Sequence, residues 1–213
     1  MERIAIVGAG GFAREILTLI NDINKVNPLY EVAGFVDGDK AKTINGLPVI
    51  GDDDEVNATT EPLSLVIAVG EPCLKEKIHR KFTNSLLSFP TLVHPSVIIG
   101  DKESVKIGKG CIICAGNILT TDIYLHNFIT LNLACTVGHD TEIADYSSFM
   151  PSVNISGEVN IGKCVYVGTG AKIINLIDIG DGTIVGAGAV VAKSLPPNCT
   201  AVGIPAKPIK FHQ

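Results

Sequence analysis

The chain has 213 residues, 46% of them hydrophobic and 18% charged, with a formal net charge of −5. That is room for one large domain or two smaller ones with a sizeable core. The acidic balance, without a clustered basic face, excludes nucleic-acid binding, and no apolar run reaches the roughly 18 residues a membrane span needs.

Residues Met1 to Gly8 read as a buried parallel strand and not as a leader, because the apolar run enters a Gly-rich turn directly. Gly8-Ala9-Gly10-Gly11-Phe12-Ala13 then opens a helix whose apolar face carries Ile16, Leu17, Leu19, Ile20 and Ile23. A second strand, Tyr30 to Val36, ends at Asp37-Gly38-Asp39, and a third, Leu63 to Val69, ends at Gly70-Glu71-Pro72. A helix from about Cys73 to Thr83 follows. Alternating strands and helices predict a small Rossmann-like α/β unit over residues 1–90.

Gly8, Gly10 and Ala13 fit the pattern G-x-G-x-x-A, and the N–H groups of a helix start favour a phosphate or carboxylate. About three strands amount to one mononucleotide half, where a dinucleotide site needs two. The expected ligand is therefore a nucleotide-like fragment, such as the uridine or diphosphate of a nucleotide sugar. Gly10, Gly11, Phe12 and Ala13 would hold it, with Asp37, Gly38 and Gly70 on the rim. A tight turn without a ligand is the alternative.

Pro90 and Pro95 mark an extended connector. Beyond it the chain changes character over residues 91–213. Stepping by six from Ile107 to Val191 meets an apolar residue at all 15 positions. Two residues earlier in most hexads stands a small or β-branched residue, among them Val105, Cys111, Thr141, Ser147, Val153, Ala171 and Ala189. A helical period cannot sustain this pattern, whereas a parallel β-helix buries one such residue per side of each coil. Ile99 and Ile107 are eight residues apart, which predicts a two-residue insertion near Asp101-Lys102-Glu103. No long loop should leave the solenoid between 107 and 191. Pro196 and Pro197 end the winding, and the tail Ala201 to Pro208 should lie extended along the coil.

Cys111 and Cys114 form a C-x-x-C, but no second pair follows at zinc spacing. All six cysteines are expected to be packed, reduced thiols, with Cys111, Cys135 and Cys199 facing inward, which fits a cytoplasmic protein. Counting from Val137 as an inward position, His139 and Asp140 fall on an outward corner. Residues 18 apart stack if three hexads make a turn, so His139 aligns with Gly157, Asn175 and Lys193.

Hexads ending in Ala-Val-Gly-Ile-Pro-Ala-Lys-Pro, preceded by a Gly-Ala-Gly-Gly-Phe-Ala unit, resemble the left-handed β-helix sugar O/N-acyltransferases of the sialic-acid acetyltransferase type. That group includes enzymes acting on nucleotide-linked 4-amino sugars. The resemblance covers the whole chain. It implies the left hand of the coil, a homotrimer with active sites between neighbouring solenoids, and acetyl transfer from acetyl-CoA to a sugar amine or hydroxyl in surface-glycan biosynthesis. It makes His139 the general base and Asp140 the group that raises its basicity, a role that suits a side chain exchanging protons near neutral pH.

The resemblance also puts the co-substrate along a groove touching Ser148, Gly157, Thr169, Ala187 and Lys193, with Lys207 or Lys210 as further phosphate contacts. A backbone N–H near Gly157 would polarise the thioester carbonyl. Two positions depart from the pattern. Ser148 stands where many relatives have a second histidine, and Phe12 where several have one. No metal is expected: a zinc site of the kind some β-helix enzymes carry needs three histidines, and the solenoid offers His126 and His139 after His94. A non-catalytic sugar-binding trimer is the remaining alternative.

Overall fold

The computed structural model describes residues 1–212. The first unit comprises β1 (Glu2–Val7), α1 (Gly11–Val26), β2 (Tyr30–Val36), β3 (Thr43–Ile44), β4 (Leu47–Gly51), α2 (Asp53–Asn57), β5 (Leu63–Ile67), α3 (Pro72–His79) and β6 (Leu87–Ser88). β1, β2 and β5 stand where the apolar runs predict them, and α3 is one turn shorter than expected. The sheet is larger than the expected three strands. Its order is β3-β4-β2-β1-β5-β6, with β4, β2, β1, β5 and β6 parallel and only β3 reversed. β3 and β6 have two residues each, and β4, as long as β5, contains Pro48 and ends on Gly51, so the local pattern does not mark them.

From β1 the chain goes first to β2 on one side and later to β5 on the other. The carboxyl ends of β1 and β5 therefore flank a topological switch point, the place where open α/β sheets bind ligands.

The rest of the chain winds into a three-faced parallel solenoid. Face 1 stacks the strands that contain Leu92, Ile112, Thr130, Ser148, Tyr166, Ile184 and Thr200. Face 2 stacks those of Ile98, Ile118, Thr136, Asn154, Lys172 and Val190, and face 3 those of Lys106, Tyr124, Glu142, Asn160 and Asp178. The spacing between stacked partners is 20 residues across the predicted insertion (Leu92 with Ile112) and 18 thereafter (Thr130 with Ser148). It drops to 16 at the end (Ile184 with Thr200), where the Pro-rich segment cuts a corner short.

The hexad residues and the small residues two before them fill one continuous core, from Val105 to Ala201. A second six-residue rule governs the corners. Asp122, Phe128, Ala134, Asp140, Tyr146, Ser152, Glu158, Cys164 and Leu176 all have φ between 52° and 65°, as do Gly110, Gly116, Gly170, Gly182 and Gly188 at up to 74°. This left-handed turn costs a non-glycine residue roughly 1–2 kcal/mol. It is held by N–H groups that donate to the coil before, such as Glu158 N–H to the His139 carbonyl at 2.8 Å.

The tail forms a hairpin in which Cys199–Val202 pairs antiparallel with an exposed strand, Lys207–Phe211. Five cysteines are buried free thiols, but Cys73 is exposed at the start of α3, a correction to the expectation that all six are packed. Cys114 and Cys164 face the N-terminal unit, not the solenoid interior.

The N-terminal unit covers face 1. Leu92, Ile112 and Cys114 pack with α1 and the sheet, while Phe128, Tyr146 and Cys164 pack under α3.

Candidate active site

His139 projects from the second corner, between faces 2 and 3. Asp140 takes the left-handed conformation there (φ 54°), which carboxamide and carboxylate residues tolerate better than most. Its Oδ2 lies 2.8 Å from His139 Nδ1. With Nδ1–H donated to this carboxylate, the imidazole lone pair sits on Nε2. The two side chains are 55% and 61% exposed, open enough for a substrate to reach them.

Below the ring lies Gly157, aligned as the 18-residue spacing predicts. A Cβ built there would stand 2.5 Å from His139 Nε2 and 2.6 Å from Cε1. The glycine is thus required by the imidazole itself. Lys193 is exposed on the same corner two turns further along. On the face-3 side the corner is acidic: Asp140, Glu158 and Asp178 line a groove of about 430 Å³.

Thr169 and Ala187 are exposed but belong to the first corner, between faces 1 and 2, where Gly188 N–H donates to the Thr169 carbonyl at 2.8 Å. They do not share an edge with His139 in one chain. Ser148 is on neither corner. Its side chain is fully buried on face 1, and its Oγ accepts from Lys75 Nζ at 2.8 Å. A co-substrate contact at Ser148 is therefore corrected: the N-terminal unit covers it. Lys75 itself carried no sequence signal, since it is one of two lysines, with Lys77, on a short helix.

The N-terminal residues gather at the carboxyl ends of β1, β2 and β5. Gly10 caps α1 without any side-chain hydrogen bond, and the first turn of α1 has no acidic residue, so its N–H groups remain available to an anion. Gly8, at φ 106°, lets the turn pass close to the Ala68 carbonyl at the end of β5, 3.4 Å from a built Cβ. Gly10, Gly11 and Gly38 are exposed, Phe12, Asp37 and Gly70 half-buried. Ala13 is the exception. It is fully buried in the α1–sheet core, so its methyl packs the helix and meets no ligand.

A cleft of about 500 Å³ opens just past the end of β5, between Gly70–Cys73 and Met150, Tyr166 and Ile184 of the solenoid. Among the described residues no group of three His, Cys, Asp or Glu side chains is placed together. Nor is any described helix long and apolar enough to cross a membrane.

An α/β unit is thus docked on a hexapeptide solenoid that carries a carboxylate-paired imidazole on an outer corner. Comparison with known proteins supplies the class. Residues 3–82 match the PglD N-terminal domain family. Over 99% of its length the chain is 30% identical to the GDP-perosamine N-acetyltransferase of Escherichia coli O157:H7, covering 97% of that protein. PerB from Caulobacter crescentus, solved in complex with CoA and GDP-perosamine, superposes with a TM-score of 0.87 at 31% identity, over 99% of this chain and 98% of that one. The acetyltransferase domain of PglB from Neisseria gonorrhoeae FA1090, solved with acetyl coenzyme A, superposes with a TM-score of 0.88 at 29% identity, over 98% and 99%. The chain belongs to the hexapeptide-repeat sugar acetyltransferases. Its solenoid is their left-handed parallel β-helix.

Proposed function

We propose that this protein is an acetyl-CoA-dependent N-acetyltransferase acting on a nucleotide-linked amino sugar. The observation that carries the reading is His139 itself, whose Nδ1 lies 2.8 Å from Asp140 Oδ2 and whose Nε2 lies over Gly157. The nucleotide lies at the switch point, its phosphates on the bare N-terminus of α1. His139 Nε2 takes the proton as the sugar amine attacks the thioester carbonyl, and Asp140 stabilises the resulting imidazolium. The amide forms, the carbon–sulfur bond breaks, and the thiolate leaving group recovers a proton.

In a three-faced coil the corner between faces 2 and 3 lies opposite face 1. His139 therefore points away from the crevice of its own chain, and the acceptor must be presented by another copy. A ring of copies that brings the second corner of one to the first corner of the next puts Thr169 and Ala187 on the same seam as His139, two and three coils further along. It turns face 2 inward, which supports a closed homotrimer. The polyanionic co-substrate runs on the face-2 side, beside Lys172 and Lys193, because face 3 presents Glu142, Asn160 and Asp178.

The test is thiol release from acetyl-CoA with UDP-, GDP- and dTDP-linked amino sugars and free sialic acid as acceptors. A nucleotide amino sugar should be turned over, and His139→Asn should lower kcat about 10²–10⁴-fold. Full activity in that variant would refute the mechanism.

A further inference from the structure

One side chain that joins the two halves of the molecule is a buried amine held entirely by neutral groups. Lys75, in the first half of α3, is 2% exposed. Its Nζ donates to the Phe128 carbonyl at 2.9 Å, to Thr130 Oγ1 at 2.9 Å and to Ser148 Oγ at 2.8 Å. Thr130 and Ser148 are stacked partners on successive coils of face 1, and Phe128 is the left-handed corner residue just before the first of them. Three donors meet three acceptors spread over two coils. Sliding α3 by one coil, about 4.8 Å, would break all three bonds.

Stability does not call for this arrangement. Withdrawing an ammonium from water without a carboxylate partner costs several kcal/mol, and an apolar side chain of similar volume would dock the helix at least as well. α3 already has other anchors on the solenoid: Glu76 pairs with Lys163 at 2.7 Å, and His79 Nδ1 meets Tyr146 Oη at 2.8 Å. What the lysine adds is register, because hydrogen bonds are directional and apolar contact is not.

The part of α3 whose register is set lies less than one turn away. Gly70, Glu71, Pro72 and Cys73 form one wall of the cleft of about 500 Å³, and Met150, Tyr166 and Ile184 on the solenoid form the other. The walls approach closely, since a Cβ on Gly70 would lie 3.8 Å from Met150 Cε.

We propose that Lys75 is a positioning residue for the acceptor: by locking the start of α3 to face 1 of its own solenoid it sets the width of this cleft and the pose of the nucleotide sugar that continues into it. This role rests on the acceptor reading given under Proposed function.

The test compares wild type with Lys75→Met and with Lys75→Met/Thr130→Val/Ser148→Ala, which also removes the hydroxyls left without the amine. Both variants should raise KM for the nucleotide amino sugar at least about tenfold, the scale of a sub-ångström to 1 Å misplacement. KM for acetyl-CoA should stay within about twofold and Tm should hold or rise. Amide hydrogen exchange over residues 70–79 should quicken in both, with no substrate present. An unchanged acceptor KM in folded variants overturns the proposal, as does a parallel rise in both KM values with a fall in Tm, which would mark a purely structural residue. Wild-type protein that acetylates no nucleotide sugar overturns the acceptor reading and this role with it. The exchange rates tell that outcome apart from a lock that fails on its own.

Discussion

At His139 the imidazole occupies the volume that any side chain on residue 157 would need, and Gly157 has no left-handed backbone to explain its glycine otherwise. Gly157→Ala should therefore leave the fold intact and displace the ring. We expect kcat to fall at least about tenfold with Tm nearly unchanged, and an equally active alanine variant would show that the ring does not need this seat. Gly10 offers the opposite kind of probe. A Cβ there meets nothing within 4 Å, and the residue is the N-cap of α1. Gly10→Asp should hold or raise stability, because aspartate is a good N-cap, while its charge repels a bound phosphate. The expected outcome is a raised KM for the nucleotide sugar with an unaltered KM for acetyl-CoA. Equal affinity for the sugar would remove the phosphate from this helix end.

At the scale of elements, the solenoid obeys two hexad rules, and only one was legible from residue types. The inward position is apolar throughout, so its side chains announce it. The left-handed corner position holds Asp, Phe, Ala, Tyr, Ser, Glu, Cys, Leu and Gly, and only the glycines hint at its backbone. Stacking of each coil on the last, with an N–H bond to the coil before at most corners, enforces a conformation these residues would not choose alone. Gly170 isolates the effect: its φ is 72° and a Cβ would touch nothing within 4 Å. Gly170→Ala should cost about 1 kcal/mol, read as a shift in the denaturation midpoint with unchanged slope. No loss at all would mean that the coil relaxes freely at that corner. In the N-terminal unit, β1, β2 and β5 are apolar runs and were legible. β3 and β6 have two residues each and β4 is broken by Pro48, and they form where a neighbouring strand offers its edge.

Across the whole molecule, the junction between the halves has a pH signature. Burial pulls the Lys75 ammonium down to about 7 from its ordinary 10.5. Between those values the unfolded chain binds a proton that the folded one does not, so stability rises with pH through that window, and below it the burial penalty is felt in full. Lys75→Met should remove this slope and raise stability at neutral pH. Melts across the window that keep the wild-type slope in the variant would assign it to another group.

The proposed sharing of the site between copies makes a second prediction at this scale. Mixed assemblies of His139→Asn and Gly10→Asp chains, each impaired alone, should regain activity because some sites pair an intact corner with an intact crevice. Mixtures no more active than their parents would put base and crevice in one chain.

Local chemistry decided the winding, the outward corner bearing His139 and Asp140, its alignment with Gly157, and the glycine-rich helix start, because each depends on near neighbours or on a strict period. Which face the N-terminal unit covers was not available from the pattern. Ser148 has the outward register of a surface residue, and only the docking of α3 buries it against Lys75. Ala13 fits a ligand motif, and only the packing of α1 on the sheet turns it inward. Thr169 and Ala187 repeat at 18 residues as faithfully as His139 and Gly157 do, yet they stack on a different corner. A period states that residues align; which edge they share, and which edges a second copy can bring together, follows from closing the chain into three faces and covering one of them.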